Sequence, residues 1–337
     1  MINIRKHRTD DHVELEISGR LDASAAPDLA TALAAETDMR SLTLDLDDCS
    51  FVSSGGIREI LTAHKRFTSI GGRVSLKNVQ PDVWRVLELT GLTRMMDVRE
   101  KLREISADGL EYLAEGVFGE VFRIDDETVV KLYREGVDPA VVEKEKRYSR
   151  AAFIAGIPTA ISFDVVTSGN RFGIAYELLN AESLATRMRR EPERLEDHAR
   201  LLATLARKIH VTEADPEVFP DMKADAAIWI DDLAPQLAAD DVAMLKAKLA
   251  AIPEATTCVH FDLHGGNVMV QGDDPIVIDM GDFSRGSPLF DLGLIATIYS
   301  PVVGICEAVT KIPNEIGARF LEHFLDHYFD GLPSEER

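Results

Sequence analysis

The sequence has few of the features that mark exported, membrane-spanning or disulfide-bonded proteins. Its 3 cysteines in 337 residues show no CxxC spacing, so a disulfide framework or a zinc knuckle is not expected. The N-terminus has no apolar core of signal-peptide length. The most apolar stretch, Leu292 to Cys306, is shorter than the ~20 residues that span a bilayer, and Pro301 interrupts it. We therefore expect a buried helix there, no membrane partner and a cytoplasmic location.

Basic residues are also scarce relative to acidic ones. There are 37 Lys and Arg against 58 Asp and Glu, a formal net charge of −21. Such a chain repels polyanions, so nucleic acid is not an expected partner. Residues 1–104 carry 15 basic and 17 acidic side chains, and the remainder holds most of the excess. At about 150 residues per domain, this asymmetry predicts two domains, 1–104 and 105–337.

The first predicted domain alternates strand-like and helix-like segments. His12 to Ile17 and Ser41 to Leu46 alternate polar and apolar residues, as half-buried strands do. Ile57 to Ile70 has helical apolar spacing and ends at two glycines. This pattern predicts an α/β fold, a small mixed sheet with helices packed on it.

The second predicted domain begins with short β-like runs and becomes mainly helical. One helix, Pro139 to Ala155, interrupts the runs, and the helical pattern begins after Ser183. A strand-loop-strand block at Val259 to Asp279 follows. The runs themselves are Glu111 to Ala114, Val121 to Ile124, Thr128 to Leu132, Ile161 to Val166 and Phe172 to Leu178. The order predicts an α+β fold with two lobes.

Two features of the β-rich lobe are suited to polyphosphate binding. Gly116 and Gly119 lie in a hairpin, where glycines let backbone N–H groups approach phosphate oxygens; a plain turn is the alternative. Lys131 lies within an apolar strand and needs a partner or solvent, because burying an unpaired charge is costly. Glu143 and Glu145 on the next helix are candidate partners, and we favour Glu145. The alternative is a lysine that extends to solvent from an edge strand.

The strand-loop-strand block carries the strongest chemical signal. Asp262 and Asn267 bracket a glycine-rich turn, where the carboxylate can accept a hydroxyl proton and the amide can hold a metal ion. Asp279 ends an apolar strand and can place an oxygen on Mg²⁺ that bridges phosphates. An alternative makes His260, Asp262 and His264 metal ligands, but it leaves Asn267 and Asp279 without a role.

The segment from about Leu110 to Tyr299 resembles the protein-kinase-like superfamily, in particular its aminoglycoside phosphotransferase and choline-kinase branch. The residues HFDLHGGNVMV…IVIDMGD are similar to the H-G-D-x-H-x-x-N…I-D-W pattern of that branch. The resemblance implies ATP and Mg²⁺ as cofactors. It also implies these roles: Asp262 as catalytic base, Asn267 and Asp279 as Mg²⁺ ligands, Lys131 on the α- and β-phosphates and paired to Glu145, and His260 and Asp291 as supports of the catalytic loop.

The sequence departs from the family pattern at two positions and gives one hint of substrate. Ala114 stands where the glycine loop usually has its first glycine, and Phe261 stands where this branch often has glycine. Only twelve positions separate Asp279 from Asp291, which leaves no room for the peptide platform of protein kinases. A hydroxylated small molecule is therefore the expected acceptor. The acidic helical region Glu191 to Asp241 favours a cationic or neutral acceptor, unless it is an ordinary solvated face.

Three segments of the first domain form a further set of motifs, which are GRLDASAAPDL, LTLDLDDCSFVSSGGIREIL and LELTGL. Together they resemble the STAS domain of bacterial anti-sigma factor antagonists. The resemblance implies a protein partner of the anti-sigma factor or serine kinase type. It also implies a regulatory serine in an F-x-D-S-S-G turn, controlled by phosphorylation. In this register the aspartate becomes Ser53 and the phosphorylated serine becomes Gly55, so Ser54 is the nearest hydroxyl. Alternatively, Ser53 and Ser54 cap the following helix.

Two functions follow as hypotheses. In the first, the second domain phosphorylates a small-molecule hydroxyl and the first domain is a docking or regulatory module. In the second, the chain is a non-catalytic partner-switching regulator whose kinase fold senses a nucleotide or ligand. The intact set of Lys131, Asp262, Asn267 and Asp279 favours the first hypothesis. The missing glycine at position 114 and the N-terminal fusion favour the second.

Overall fold

The computed structural model describes residues 2–9, 11–36 and 39–330. The chain divides into two compact units, residues 1–103 and 104–337. No helix in these described ranges is both long and apolar enough to cross a membrane.

The first unit is an α/β domain with one sheet. Its strands are β1 (Ile2–Arg8), β2 (His12–Leu21), β3 (Ser41–Asp45), β4 (Cys49–Val52), β5 (Arg73–Val79) and β6 (Asp97–Glu100). Its helices are α1 (Ala26–Ala34), α2 (Ser54–Ser69), α3 (Pro81–Leu89) and α4 (Leu92–Met95). The strand order is β1-β2-β3-β5-β6, with β4 beside β2. Only β1 runs antiparallel to its neighbour, so the predicted mixed sheet is confirmed.

The alternation of polar and apolar residues determines which side of this sheet faces the core. Leu15 on β2 and Leu44 on β3 are fully buried, and they pack with Ile60 and Phe67 of α2. The prediction missed strand β1 because most of its residues are exposed at the edge of the sheet, so its sequence carries little apolar pattern.

The second unit begins with a β-sheet. Its strands are β7 (Arg103–Glu104), β8 (Glu111–Glu115), β9 (Gly119–Arg123), β10 (Thr128–Tyr133), β11 (Ser162–Ser168) and β12 (Arg171–Glu177), in the order β7-β11-β12-β10-β9-β8. Strands β8 to β12 pair antiparallel. Helix α5 (Pro139–Ile154) follows β10 in the chain. Asp138 caps α5 by accepting a hydrogen bond from the backbone N–H of Ala140, at 2.8 Å.

The remainder of the second unit is mainly helical, as the sequence predicts. Its helices are α6 (Leu184–Arg190), α7 (Leu195–His210), α8 (Met222–Leu233), α9 (Ala239–Ala251), α10 (Leu289–Tyr299), α11 (Cys306–Thr310) and α12 (Asn314–Phe329). Its short strands are β13 (Glu182–Ser183), β14 (Cys258–Val259), β15 (Val268–Gln271), β16 (Asp274–Val277) and β17 (Ser284–Arg285). Together with the β-rich lobe, this lobe gives the predicted two-lobed α+β architecture.

One sequence prediction about this lobe is wrong. The apolar stretch Leu292 to Cys306 is not a single helix, because α10 ends at Tyr299 and α11 begins at Cys306. Ser300, which precedes Pro301, has extended backbone angles, φ −65° and ψ 128°. A proline disfavours the helical conformation of the residue before it.

Candidate functional site

Lys131 joins two lobes of the second unit. It lies on β10, and its Nζ atom donates to both carboxylate oxygens of Glu145 on α5, at 2.9 and 3.0 Å. The same atom donates to Oδ1 of Asp279 at 2.8 Å. Glu143, the other candidate acid, is exposed. Burial opposes the charge on Lys131, but the two carboxylates raise the pKa of the ammonium group above its ordinary value.

Asp262 and Asn267 lie in the loop between β14 and β15 and contact each other. The Asn267 amide donates to Oδ2 of Asp262 at 2.7 Å and to its backbone carbonyl at 3.0 Å. The N–H of Ile278 donates to the backbone carbonyl of Asn267 at 2.9 Å. Ile278 and Asp279 follow the hairpin that β15 and β16 form. The bond from Ile278 brings Asp279 beside the loop. The structure therefore brings Asp279 close to the loop that carries Asp262, which lies 17 positions earlier in the chain.

Burial separates the proton affinities of two neighbouring groups in this loop. It raises the pKa of the Asp262 carboxyl to about 6; the charges of Asp279 and Asp282 act in the same direction, while His260 and Asn267 oppose it. Burial lowers the pKa of His264 to about 4. Near neutral pH, Asp262 is therefore ionised but basic for a carboxylate, and His264 is uncharged.

The two histidines of the loop support its backbone and do not form a metal site. The N–H of Asp262 donates to Nδ1 of His260 at 3.2 Å, so Nε2 carries the proton and donates to the Ile278 carbonyl at 3.1 Å. Likewise, the N–H of Gly266 donates to Nδ1 of His264 at 3.0 Å. Both ring nitrogens of His260 are thus engaged. No cluster of three or more His, Cys, Asp or Glu side chains arranged for a metal occurs among the described residues, which contradicts the alternative histidine-ligand hypothesis.

Asp291 on α10 is fully buried beneath the loop. Its Oδ2 accepts hydrogen bonds from the N–H of His260 at 2.8 Å and from Nε2 of His210 at 2.9 Å, and its Oδ1 accepts from the N–H of Phe261 at 2.6 Å. Burial alone would raise the pKa of Asp291, but the hydrogen bond and charge of His210 bring it below its ordinary value. Asp291 therefore fixes the backbone that leads into Asp262.

Sequence reasoning missed two residues that stabilise this arrangement. His210, at the end of α7, also contacts the Tyr328 hydroxyl through Nδ1 at 2.7 Å. The Tyr299 hydroxyl accepts a hydrogen bond from the N–H of Gly265 at 2.8 Å. Both lie far from the loop in sequence, at the ends of helices, and only their burial distinguishes them from other polar helix residues.

Phe261 occupies an unusual backbone conformation immediately before Asp262. Its φ of +59° lies in the left-handed region, which non-glycine residues seldom adopt. Its ring stacks on Trp229 of α8, with centroids 5.5 Å apart, and packs edge-on against Phe290, at 6.3 Å. These ring contacts offset the strain of the left-handed backbone. They also form an aromatic surface at the residue that immediately precedes Asp262.

The glycine hairpin connects β8 and β9. The N–H of Gly116 donates to the Gly119 carbonyl at 2.8 Å. A Cβ atom on Gly119 would lie 2.2 Å from the backbone oxygen of Leu132, so packing against β10 requires glycine there. The tip residues Val117 and Phe118 are exposed. Arg134, which sequence reasoning also missed, holds the hairpin through its Nε bond to the Val117 carbonyl at 3.0 Å.

The free oxygens at Asn267 and Asp279 fit a hard divalent cation. The Asn267 amide nitrogen is used by Asp262, and within the described residues no hydrogen bond reaches Asn267 Oδ1 or Asp279 Oδ2. Mg²⁺ prefers oxygen ligands, and proteins usually bind it through one or two such groups together with substrate phosphates. These two side chains therefore fit the ion that the sequence implies.

In the first unit, the predicted regulatory serines differ in position. Ser53 is the N-cap of α2, and its Oγ accepts a hydrogen bond from the N–H of Gly56 at 3.3 Å. Ser54 is the first helical residue and is exposed. Beside them, the Arg20 guanidinium lies 4.2 Å from the centroid of the exposed Phe51 ring. Ser53 is thus a helix cap, whereas the hydroxyl of Ser54 is accessible.

Comparisons with known proteins match both units. Residues 110–337 match the model of the phosphotransferase enzyme family, and residues 3–105 match the model of the STAS domain. The anti-sigma-B factor antagonist of Bacillus subtilis (strain 168) is 26% identical over 101 residues, covering 30% of this chain and 93% of that protein. The anti-sigma-B factor antagonist of Listeria monocytogenes is 25% identical over 105 residues, covering 31% and 92%. A crystal structure of the ADP-bound aminoglycoside phosphotransferase APH(2'')-Ib covers 74% of this chain and 83% of its own, with 18% identity and a TM-score of 0.46.

Proposed function

Because this chain belongs to the phosphotransferase enzyme family, we propose that its second unit transfers the γ-phosphoryl group of ATP to a hydroxyl group of a small molecule. The contact of Lys131 with both Glu145 and Asp279 carries this proposal. These contacts hold the ammonium group of Lys131 between the β-rich lobe and Asp279, which follows the β15–β16 hairpin. A lysine held in this way is suited to bind the phosphates of a nucleotide.

Asp262 is the proposed catalytic base. Its carboxylate accepts the proton of the acceptor hydroxyl while the acceptor oxygen forms a bond to the γ-phosphorus. The bond between that phosphorus and the bridging oxygen of ADP breaks. A pKa of about 6 suits this role, because the group is ionised near neutral pH and still has appreciable proton affinity. Asn267 orients this carboxylate through the 2.7 Å hydrogen bond.

Asn267 and Asp279 are the proposed holders of Mg²⁺. The ion, when bound, neutralises charge on the phosphate oxygens. Lys131 neutralises one carboxylate charge at the same place, and its ammonium group contacts phosphate oxygens as a point charge. His260 and Asp291 keep the loop backbone fixed, so that Asp262 need not reorganise during the reaction.

The short connection from Asp279 to Asp291 supports a small acceptor. It consists of a single 3-10 turn, Met280–Asp282, then β17 and the start of α10. A peptide acceptor would need an extended platform, and the residues between Asp279 and Asp291 are too few to form one. The aromatic surface of Trp229 and Phe261 lies beside the proposed base and is available for the acceptor.

The proposed activity is tested by measuring ADP release from ATP and Mg²⁺ with a panel of hydroxylated compounds. The panel contains amino sugars, amino alcohols and neutral sugars. We expect acceptor-dependent ADP release by the wild type, and none above background by Asp262→Asn. Acceptor-independent release that is equal in the two proteins would contradict the proposal.

A second function is favoured by the first unit, and the two functions are compatible. This unit matches anti-sigma-B factor antagonists over more than nine-tenths of their length, and Arg20 and Phe51 form an exposed pair near Ser54. We propose that it binds a protein partner of the anti-sigma factor type. Pull-down with purified anti-sigma factors tests this, with Phe51→Ala as the variant expected to bind less.

A further inference from the structure

The carboxylate of Glu145 receives hydrogen bonds from three side chains. Lys131 donates to both of its oxygens, the Tyr176 hydroxyl donates to Oε1 at 3.0 Å, and the Tyr133 hydroxyl donates to Oε2. Glu145 itself is only 3% exposed. The two tyrosines have no part in the function proposed above.

The sheet explains why these groups meet. Lys131 and Tyr133 are two positions apart on β10, so their side chains point to the same face of the sheet. Tyr176 on β12 pairs with Val129, and paired residues on neighbouring strands also share a face. This is the face that α5 covers, and Glu145 extends from α5 towards it.

Both hydroxyls remain donors under all ordinary conditions. Burial, followed by the negative charge of Glu145, raises the pKa of Tyr133 and of Tyr176 well above the usual value for tyrosine. The Tyr133 ring also lies 5.1 Å from the ammonium nitrogen of Lys131, within the range of a cation–π contact. Burying a carboxylate is costly unless it is hydrogen-bonded, and here the tyrosines supply donors in addition to the lysine.

We propose that Tyr133 and Tyr176 are positioning residues, which hold Glu145 and thereby Lys131 in the nucleotide-binding arrangement before nucleotide arrives. The inference rests on the function proposed above. It has a regulatory consequence: α5 is fixed to the sheet by three side chains, so ATP affinity does not depend on a movement of this helix. Such preorganisation lowers the entropic cost of binding.

The test uses the full chain and the single variants Tyr133→Phe and Tyr176→Phe, each of which removes one oxygen atom and keeps the ring. Calorimetry measures the affinity for ATP with Mg²⁺ and, separately, for adenosine. Lys131 acts on phosphates, so we expect the Kd for ATP to rise about tenfold, the scale of one net hydrogen bond. The Kd for adenosine should be unchanged.

Tyr148→Phe is the matched control. Tyr148 is buried on the same helix, and its ring packs on Phe219 with centroids 5.4 Å apart. This variant should bind ATP as the wild type does. Melting temperatures are recorded for every variant, and the two single variants are scored independently.

The outcomes separate this inference from the proposed function. If both tyrosine variants bind ATP like the wild type, or lose ATP and adenosine affinity equally while folded, the positioning role is wrong and the phosphotransferase function stands. If the wild type binds neither ATP nor ADP, the proposed function fails and this inference fails with it.

Discussion

The Nζ atom of Lys131 lies 2.8 Å from Oδ1 of Asp279, although 148 positions separate the two residues in the chain. One lysine charge faces two carboxylates here, those of Glu145 and Asp279. Asp262 and Asp282 lie nearby as well: burial is the main cause of the raised pKa of Asp262, and the charges of Asp279 and Asp282 raise it further. The site therefore has an excess of negative charge, and a divalent cation that arrives with a nucleotide complements it.

Replacing the proposed base provides the first test of the mechanism. Asp262→Asn should reduce phosphoryl transfer by roughly 10²–10⁴-fold, the usual contribution of a general base. Nucleotide affinity should change little, because Lys131 and Asp279 remain. Single-turnover kinetics and calorimetry measure the two quantities. Asp279→Asn is the contrasting variant, since it should weaken Mg²⁺-dependent nucleotide binding. Equal transfer rates in wild type and Asp262→Asn would remove Asp262 from the mechanism.

The same substitution should increase stability in a pH-dependent way. The folded-state pKa of Asp262, about 6, lies above that of an unfolded aspartate. Its carboxyl therefore binds protons more readily when folded, so its contribution to the free energy of unfolding decreases as pH rises from about 4 to 6. Asp262→Asn should melt above the wild type at pH 7, and this difference should nearly vanish at pH 4. The exposed Asp274→Asn is the control and should show no such trend.

Phe261 allows a test of backbone strain. Both Phe261→Ala and Phe261→Gly lose the ring contacts with Trp229 and Phe290. Only glycine adopts a positive φ without strain, so Phe261→Gly should be more stable than Phe261→Ala by about 1 kcal/mol. At Phe290, in the first turn of α10, the order should reverse, because alanine is the better helix former. Urea unfolding of the four variants measures both differences. The same order at both positions would contradict the strained backbone.

The buried carboxylate of Asp291 gives a strong stability prediction. It has three donors for its two oxygens, and an amide offers only one oxygen, so Asp291→Asn turns an N–H₂ group towards a donor. We expect a loss of about 3 kcal/mol in the free energy of unfolding. The exposed Asp326→Asn on α12 is the control and should cost almost nothing. An Asp291→Asn variant as stable as the wild type would show that Asp291 does not brace the loop.

The two serines of the first unit should respond differently to substitution. Ser53→Ala removes the N-cap of α2 and should cost about 1 kcal/mol, whereas Ser54→Ala should be neutral. Ser54→Asp places a negative charge at a helix N-terminus, which favours it, so its melting temperature should not fall. If Ser54 is a phosphorylation switch, Ser54→Asp alone should lose partner binding in a pull-down. Equal binding by Ser54→Asp and Ser54→Ala would indicate constitutive docking.

The chemical groups of the candidate site were accessible from sequence because they lie in short local motifs. Asp262 and Asn267 share one loop, and their spacing of five residues predicts that they face one cavity. Asp279 lies two residues beyond β16, at the end of the apolar run that follows this loop. The choice of Glu145 rested on its place in the helix that follows β10. Phe261 also stands out in the sequence as a departure from the family pattern, but no local pattern explains it.

The amino-acid sequence by itself determined the two fold classes, the loop with Asp262 and Asn267, and the strand that carries Lys131. Each of these is encoded in periodicity or in spacings of a few residues. Only the tertiary structure decided which polar groups meet across long separations. His210 reaches Asp291, Tyr176 reaches Glu145 and Trp229 reaches Phe261 because helices and strands pack together, and no local pattern records such contacts. The structure also separated Ser53, a cap, from Ser54, an exposed hydroxyl, since that difference depends on the residue at which the helix begins.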